Sequence, residues 1–449
     1  MSDMLSIGAS GVRAYQSALG VTSDNIANAG TAGYTRRTVA LREVAASGSV
    51  GLNTQIARSG NGVVVNGVVR QSDAYQTASI RLASTDLART EAGTAQLERV
   101  QSVLTQGATT TRMNAFFAAS QKLAADPTST AARASMIEAG QGVADAFRTT
   151  GRGLDEAAAE LDGRIDAGAR ELTSLAGALA KINEGMGRAA PGSAAAANLA
   201  DQRDRILGDM SAVADVSARI DDFGRTTLRV GGSNGAVLVS GNEAATVVAG
   251  RNEDGALAFS VRRGSEEQGF VPTGGALAGF AEGAQRIVDA RAGLNQVAGK
   301  FAKTVNDVLK TGDDLNGEDG GALFTAGTPA SEMSLAFTDP AKLAAAGRDK
   351  GPRDASNLAD LQKARTASGV EEAGTALVAG VATAIESRKT VAAAQGAIND
   401  AAVAALDAKA GVDLDQEAVD LIRFQQAYQA SSRVIQVARD VMQTLLEIR

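Results

Sequence analysis

The chain has 449 residues, of which 44 are basic and 51 are acidic, so its formal net charge is −7 at pH 7. This charge repels nucleic acid and anionic lipid, and we predict neither a nucleic-acid nor a membrane partner. The absence of histidine and cysteine excludes Ser-His-Asp and Cys-His catalysis, imidazole and thiolate metal sites, and disulfide bonds. At about 150 residues per domain, the length predicts about three domains.

Hydrophobic residues make up 44% of the chain, but aromatic residues only 3%. This composition is typical of alanine-rich helices that pack side by side. The first twenty residues lack a basic segment and a continuous apolar segment, and no apolar run reaches the length of about 18 residues that a membrane helix needs. We therefore expect neither a cleaved signal peptide nor a membrane-spanning helix.

The first predicted element is an amphipathic helix near the N-terminus. Its stripe residues recur at alternating steps of three and four, the heptad pattern of a helix that packs against a partner helix. The stripe consists of Leu5, Gly8, Val12, Tyr15, Leu19, Thr22 and Ile26.

A glycine-bounded run of valines, Gly62 to Arg70, predicts a strand, and Ile80 to Leu104 predicts a helix. A much longer helix follows. Its stripe of about 50 residues predicts a rod of about 75 Å, weakened locally by glycines. The stripe residues are Met136, Val143, Phe147, Leu154, Leu161, Ile165, Leu172, Leu175, Leu179, Ile182 and Met186, and the glycines are Gly140, Gly151, Gly153 and Gly163.

Strand-forming residues are concentrated in the block from Val216 to Val271. Within this block, Asp222-Phe223-Gly224 and Asp254-Gly255 predict turns between strands. The block therefore predicts a small antiparallel β-domain inserted between two long helices. The helix that follows the block is expected to pack against the rod, and its stripe residues are Leu277, Phe280, Ile287, Leu294, Phe301 and Val308.

Near the C-terminus, the alternation from Ser334 to Thr338 predicts a strand, and the alanine-rich run from Glu371 to Lys409 predicts a helix. The chain then ends in a second heptad stripe, so both ends are predicted to seek a partner helix. This stripe consists of Leu421, Phe424, Tyr428, Ser431, Ile435, Ala438, Met442 and Leu445.

The predicted fold is mainly α with a small inserted β-domain, elongated and multi-domain. Residues 1–35 and 411–449 are expected to form a terminal coiled-coil assembly domain. Residues 36–214 and 276–410 are expected to form an elongated helical bundle, and residues 215–275 the antiparallel β-domain. Because a lone helix with one narrow stripe is marginal in water, we expect both ends to be mobile in the free subunit. They then pair antiparallel and pack against neighbouring copies on assembly.

Three segments resemble catalytic or metal-binding motifs. Gly231 to Gly235 matches the G-x-S-x-G elbow, but Ser233 has no histidine base in this chain. Asp314 to Asp319 has acidic spacing like that of a calcium loop, but it lacks the required glycine and final glutamate. The pair Glu266-Glu267 carries no sign of a cleft. We predict no catalytic residue, no metal site, no cofactor and no enzymatic activity, with a secreted hydrolase as a remote alternative.

A polar segment after the first helix carries a more specific signal. It runs from Asp24-Asn25-Ile26-Ala27-Asn28 to Gly33-Tyr34-Thr35-Arg36, and its bland interpretation is a helix cap and a loop. The segment resembles the N-N-I-A-N-x-x-T-x-G-Y signature of flagellar rod, hook and hook-associated axial proteins, with Asp24 in place of the first asparagine. The valine-rich stretch from Gly60 to Asp73 resembles the strand pair that follows it in that family.

Four further segments narrow the resemblance to the FlgK family of hook-associated proteins, which join the hook to the filament. Leu199 to Leu207 resembles the D-Q-R-D helix of that family, and Asp314-Leu315-Asn316-Gly317 resembles its D-L-N-G turn. Gly411 to Glu417 and Phe424 to Ser431 resemble its C-terminal signature. Rod and hook proteins share the first signature but not the D-Q-R-D helix or the D-L-N-G turn, so a hook or distal-rod protein is the nearest alternative.

The resemblance implies a structural protein that self-assembles into a helical ring layer at the hook–filament junction. Its implied partners are the hook protein, a second junction protein, the flagellar type III export apparatus and a cytoplasmic export chaperone. The implied location is extracellular. We expect the assembly contacts to involve the stripe residues and the polar signature, namely Leu5, Val12, Tyr15, Leu19, Ile26, Asn28, Tyr34, Leu421, Phe424, Tyr428, Ile435, Met442 and Leu445.

Overall fold

The computed structural model describes residues 2–31, 33–44, 62–252, 257–325 and 329–447. Helices dominate these residues, and none of the described helices is long and apolar enough to cross a membrane. The helices are α1 (Ser2–Asn28), α2 (Ala74–Gln106), α3 (Thr109–Ala125), α4 (Thr130–Arg188), α5 (Ala194–Val213), α6 (Gly275–Leu309), α7 (Ser356–Ser368), α8 (Val370–Ala410) and α9 (Leu414–Glu447).

The strands form four small antiparallel sheets with the orders β1-β2, β3-β4-β5-β6, β7-β8-β9 and β10-β11. They are β1 (Arg37–Glu43), β2 (Val63–Arg70), β3 (Val216–Ile220), β4 (Thr226–Val230), β5 (Ala236–Ser240), β6 (Glu243–Ala244), β7 (Thr246–Arg251), β8 (Leu257–Arg263), β9 (Glu266–Phe270), β10 (Gly312–Asp313) and β11 (Ala346–Gly347).

The long rod predicted from the stripe of α4 is present as one helix of 59 residues, about 90 Å long. Its stripe residues are buried except Leu175, which is half-buried. Helix α6 packs against α4, as the sequence predicts. Phenylalanine rings from α3, α4, α6 and the loop after α6 form a mainly edge-to-face cluster. This cluster consists of Phe116, Phe117, Phe147, Phe301 and Phe324.

The inserted β region lies between α5 and α6, and its sheets pack on α4. Strands β3 and β4 flank the predicted turn at Asp222-Phe223-Gly224, so this turn is confirmed. The second predicted turn, Asp254-Gly255, lies outside the described residues. The rings of Phe259 in β8 and Phe270 in β9 pack at a tilt, with their centroids 5.7 Å apart, in the interior of this β region.

The strand predicted at Ser334 to Thr338 is wrong. Leu335 forms only an isolated bridge with Phe324, and the neighbouring backbone does not continue as a ladder. The alternation instead reflects Leu335 and Phe337, whose side chains pack against the bundle core. Packing of alternate side chains therefore produced a strand-like pattern without strand pairing.

At the terminal end of the molecule, β1 and β2 form a hairpin that packs along α1. The ladder runs from Arg37 opposite Arg70 to Glu43 opposite Val63, with a bulge after Ala40. The Ser10 hydroxyl of α1 accepts a hydrogen bond from the Val63 backbone N–H at 3.2 Å. The hairpin therefore connects α1 to helix α2 of the bundle, which follows β2.

Candidate assembly site

The first and last helices, α1 and α9, lie side by side in antiparallel orientation. Near the start of α1, Gly8 contacts Ile435, and in its middle the Tyr15 and Phe424 rings lie 6.4 Å apart. Near its end, Asn25 is hydrogen-bonded to Glu417. As the residue number increases along α1, the residue number of its partner in α9 decreases. The predicted antiparallel pairing of the terminal helices is confirmed.

Small residues form the most buried face of α1. A Cβ atom built on Gly8 would lie 2.8 Å from Ile435 Cγ1, and one built on Gly11 would lie 2.7 Å from Ser431 Oγ. The two helices therefore approach more closely than larger side chains would allow. The buried face consists of Gly8, Gly11, Ala14, Ala18, Thr22 and Asn25.

The larger stripe residues flank this small face. They are only partly covered by the partner helix within the chain, and two of them are exposed. Half-buried are Leu5, Val12, Tyr15, Leu19, Leu421, Phe424, Tyr428 and Ile435, and exposed are Ile26 and Met442. Leu445 belongs to α9, and its side chain lies outside the described part of the structure.

Asn25 is the centre of a polar joint between α1, β1 and α9. Its Nδ2 donates to the Arg37 carbonyl oxygen at 2.8 Å and to Glu417 Oε2 at 3.0 Å. Its Oδ1 accepts the Arg37 backbone N–H at 3.0 Å and the Tyr34 hydroxyl at 2.9 Å. Asn25 is 1% exposed, so both N–H groups and both acceptor positions of its side-chain amide are used inside the protein.

Tyr34 enters this joint as a neutral donor. Burial raises the pKa of its phenol above the usual value, and the charges of Asp24, Asp201 and Glu417 act in the same direction against Arg37. Its ring lies 4.6 Å from the Arg37 guanidinium carbon. Asn28, the other predicted polar residue, donates to the Asp24 carbonyl oxygen on the surface of the same helix and lies outside the joint.

Arg36 fastens the start of α9 to the same place. Its Nε donates to Glu417 Oε1 at 2.6 Å, and its Nη2 donates to Asp420 at 3.3 Å. Its backbone N–H also donates to the Ala410 carbonyl oxygen at 2.9 Å, where α8 ends. Glu417 is 1% exposed, and a buried carboxylate needs such a partner because an uncompensated charge costs several kcal/mol.

A second ionic cluster connects the hairpin to α5. Asp201 accepts Arg37 Nη2 at 2.5 Å and Arg70 Nε at 2.8 Å, so it links β1 with β2. Arg70 also reaches Asp204 at 2.9 Å, which in turn pairs with Arg203. The D-Q-R-D segment of α5 thereby holds the terminal pair and its hairpin against the bundle.

The main members of the polar joint were not among the predicted contact residues, although the segments that contain them resemble the family signatures. Asn25 and Arg36 lie within the first signature, and Glu417 ends the Gly411 to Glu417 segment. The available signal was the placement of an asparagine and a glutamate within helices, at positions where the heptad pattern brings residues toward a partner. Polar residues at such positions fix the register of paired helices.

Helix α9 carries a second apolar face, which points away from α1. We call it the outer face of α9. Its residues follow helical spacing and are exposed, and no described helix or strand covers them. They are Val419, Ile422, Val434, Val437 and Val441.

The segments that resemble catalytic or metal-binding motifs lie in turns. Ser233 lies exposed between β4 and β5. The Asp314 carboxylate accepts the backbone N–H groups of Asn316 at 2.7 Å and Glu318 at 3.0 Å, which stabilises the turn. Among the described residues, no group of three acidic side chains is placed to hold a metal ion.

Family models match both the helical body of the chain and its two terminal segments. A family model described as "Flagellar hook-associated protein FlgK helical domain" matches residues 94–324, just over half of the chain. Models described as "Flagella basal body rod protein" and "Flagellar basal body rod FlgEFG protein C-terminal" match residues 5–35 and 408–448. These two segments contain the paired terminal helices.

The chain is 26% identical to "Flagellar hook-associated protein 1" of Escherichia coli (strain K12), over 100% of both chains. It is 24% identical to the protein of the same name from Bacillus subtilis (strain 168), over 96% of this chain and 95% of that one. The structure of the flagellar hook junction protein FlgK from Burkholderia pseudomallei is similar with a TM-score of 0.65. That match has 14% identity and covers 73% of this chain and 98% of that one. The chain belongs to the FlgK family of flagellar hook-associated proteins, which are structural proteins of the bacterial flagellum.

Proposed function

We propose that this protein forms the junction between the hook and the filament of the flagellum, by self-assembly through its terminal helices, and that it catalyses no reaction. The observation that carries the proposal is the outer face of α9. A row of exposed valines and an isoleucine is unfavourable in water, and each such side chain contributes about 1.5–3 kcal/mol when it becomes buried. Neighbouring copies in a ring would bury this row.

The half-buried stripe residues supply the rest of the proposed contact. Leu5, Val12, Tyr15 and Leu19 flank the small face of α1, and their free sides, together with the exposed Ile26, remain available to a neighbouring copy. Like subunits that repeat one such contact head to tail form rings or helical tubes. Asn28 and Tyr34 lie at the end of α1, where the proposed contact meets the polar joint.

The proposed partners follow from the same role. They are the hook protein on one side, a second junction protein on the other, and the flagellar type III export apparatus that delivers the subunit outside the cell. A cytoplasmic export chaperone would cover the C-terminal stripe before export by taking the place of α1. The stripe residues that it would contact are Leu421, Phe424, Tyr428, Ile435, Met442 and Leu445.

A hook or distal-rod protein is the second candidate function, because rod-protein models match both terminal segments. The matched helical domain at residues 94–324 favours the junction, since it forms most of the body of this chain. Electron microscopy of a strain that lacks the gene separates the two candidates. We expect complete hooks without filaments, whereas loss of the hook itself would contradict the junction assignment.

The outer face of α9 is tested by Val437→Glu in the full chain. Val437 is 53% exposed, so the variant should fold, but it should fail to restore filaments in that strain. The matched control is Val288→Glu on α6, where the valine is 49% exposed and where we expect filaments to form. Normal filaments with Val437→Glu would show that this face is not an assembly surface.

A further inference from the structure

A continuous series of hydrogen bonds and ion pairs leads from α9 to the inserted β region. It starts at Arg36, which holds Glu417 of α9, and passes through Asn25 to β1. From β1 it continues through two aspartates and an arginine of α5 and an arginine of β2. We call this series the ionic chain, and its members are Arg36, Glu417, Asn25, Arg37, Asp201, Arg70, Asp204 and Arg203.

The last member, Arg203, reaches the turn between β3 and β4, residues 221–225. Its Nη1 donates to the Gly224 carbonyl oxygen at 3.0 Å, while its Nε and Nη2 donate to Asp204 Oδ1 at 2.9 and 2.7 Å. Gly224 has a φ of +79°, and a Cβ built on it would collide with the Met186 side chain of α4. The turn therefore lies in a narrow seat on α4, and a charged donor of α5 fastens it there.

The ionic chain is shielded from water along most of its length. Glu417 and Asn25 are each 1% exposed, Arg37 is 4%, Asp201 5% and Arg203 7% exposed. When one partner of such a buried pair moves away, the other is left as an uncompensated charge, which is strongly unfavourable. A change at one link therefore acts on the next link.

Each aspartate of the ionic chain serves two arginines. Asp201 accepts from Arg37 of β1 and from Arg70 of β2. Asp204 accepts from Arg70 and from Arg203. The guanidinium of Arg70 thus spans the two carboxylates, and its position depends on what else they bind.

A further arginine lies close to this group. Burial lowers the pKa of Arg81 on α2, and the charge of Asp204 opposes this shift while that of Arg203 adds to it. Guanidinium groups from β1, β2, α2 and α5 thus surround two carboxylates. Such an excess of donors over acceptors favours an exchange of partners when one donor leaves.

We propose that the ionic chain couples the pairing of α1 with α9 to the β3–β4 turn, so that closure of the terminal pair stiffens the inserted β region. The closed pair holds both backbone groups of Arg37 through Asn25, and Arg37 in turn occupies one oxygen of Asp201. Coupling between two sites is reciprocal, so the turn also influences the terminal pair. This device belongs to the single subunit and goes beyond its place in the flagellum.

Opening of the terminal pair starts a sequence of partner changes. Arg37 is released and leaves one oxygen of Asp201 free. Arg70 then closes on both oxygens of Asp201, in the bidentate geometry that suits a guanidinium group. It withdraws from Asp204 as it does so.

The change ends at the β3–β4 turn. Asp204 is left to Arg203, whose guanidinium turns fully toward this carboxylate and gives up the Gly224 carbonyl oxygen. The turn then lacks its bond to α5. The loss of one hydrogen bond from a charged donor corresponds to about tenfold faster hydrogen exchange in the turn.

The test closes the terminal pair of the full chain with a disulfide, which is simple because the chain has no cysteine of its own. A Cβ built on Gly11 lies 3.3 Å from Ser431 Cβ, near the separation of about 3.5–4.5 Å found in disulfides. Gly11→Cys with Ser431→Cys therefore gives the closed form when it is oxidised. The same protein with Asn25→Ala, kept reduced, gives the open form.

Hydrogen exchange measured by mass spectrometry compares the two forms. We expect about tenfold slower exchange of residues 216–230, which contain the turn, in the closed form. Residues 257–270 of β8 and β9 serve as the control, and their exchange should not differ. Adding Arg203→Met to both forms removes the last link of the ionic chain, and the difference at residues 216–230 should disappear.

Arg203→Lys is the second variant, since it keeps the charge without the guanidinium group that binds two partners at once, and it should give the same loss. Equal exchange of residues 216–230 in the closed and open forms would overturn the coupling. A difference that persists in both Arg203 variants would show that the ionic chain does not carry it. Either result leaves the proposed function standing, because the measurement is made on the free subunit.

Discussion

Asn25 performs a task on α1 that an apolar residue of similar size would not perform. It satisfies two donors and two acceptors in a place closed to water. Removing one member of a buried polar group leaves its partners unsatisfied, at about 1–3 kcal/mol for each group. Asparagine at this position therefore decides whether α1, β1 and α9 fit together.

We predict that Asn25→Ala separates the terminal pair. The expected loss of about 3 kcal/mol corresponds to more than a hundredfold faster hydrogen exchange at the α1 amides of the assembled protein, in which we expect the terminal helices to be paired. Asn28→Ala is the matched control, since its side chain makes only exposed hydrogen bonds, to the Asp24 carbonyl oxygen and from the Thr31 hydroxyl, and we expect little change. Equal protection in wild type and Asn25→Ala would remove Asn25 from the centre of the joint.

At the scale of single residues, the polar signature was predictable from the sequence, but the hydrogen-bond partners of its residues were not. Tyr34 and Asn28 were predicted as contact residues from the resemblance, while the buried partner of Tyr34 is Asn25. Glu417 and Arg36 are 381 positions apart, and no local pattern predicts which acidic residue meets which arginine. Such pairs depend on the tertiary fold, which brings the two ends of the chain together.

At the scale of elements, the terminal pair depends on glycine where α1 crosses α9. We predict that Gly8→Leu prevents pairing, because a Cβ there already lies 2.8 Å from Ile435. Gly20→Leu on the same helix is the control, since a Cβ there has no neighbour within 4 Å and leucine favours a helix over glycine by about 1 kcal/mol. In the gene-deletion strain, Gly20→Leu should restore filaments and Gly8→Leu should not; filaments with both variants would argue against close packing at Gly8.

The order of the terminal helices in the free subunit stays a prediction. Among the described residues, most of their contacts are with each other and with the hairpin, and elements with few buried contacts open at a lower free energy than the core. Hydrogen exchange on the dilute protein should therefore show much weaker protection in α1 and α9 than in α4 and α6. Equally strong protection in all four helices would show that pairing does not wait for assembly.

Helix α4 shows that periodicity predicts a helix and its buried face but not which neighbours its glycines will contact. The spacing of its stripe predicted the rod and its buried face. The sequence predicts that the glycines of this rod weaken it locally, and the helix continues through all of them. A Cβ on Gly151 would lie 2.9 Å from the backbone nitrogen of Ser331, so this glycine lets a loop pack against the rod. A sequence alone does not show which neighbour will need that space.

At the scale of the whole molecule, the body and the terminal pair have separate apolar interiors. The continuous core of the described residues extends from Val100 to Val370 and includes no residue of α1 or α9. We therefore predict that a chain without residues 1–35 and 411–449 stays folded but no longer assembles. Thermal unfolding should show a cooperative transition for this chain, while the gene-deletion strain that expresses it should lack filaments.

The opposite outcome for the shortened chain is equally informative. Filaments of normal length from the shortened chain would show that the terminal helices are dispensable. A shortened chain without a cooperative transition would show that the body needs the terminal pair for its own stability. The intact chain, expressed at the same level, is the reference in both measurements.

The mainly helical fold with an inserted β region was predictable because long stripes and a valine-rich block are strong signals. The sheet order and the packing of the β region on α4 were not predictable, since they depend on contacts between distant segments. The strand expected near Leu335 failed for the same reason. Its alternating pattern was read locally, although Leu335 and Phe337 pack against the distant bundle core.

Asn25 and Glu417 are 392 positions apart, so the joint between α1 and α9 imposes an order of events on each newly made polypeptide. Helix α1 is synthesised before the body and α9 after it, so the buried face of α1 has no partner helix until α9 has been made. Joining such remote stretches is entropically slow, and it becomes easier once the intervening body has condensed and shortened the gap. We therefore expect the terminal pair to close late in folding, after the body of the subunit has formed.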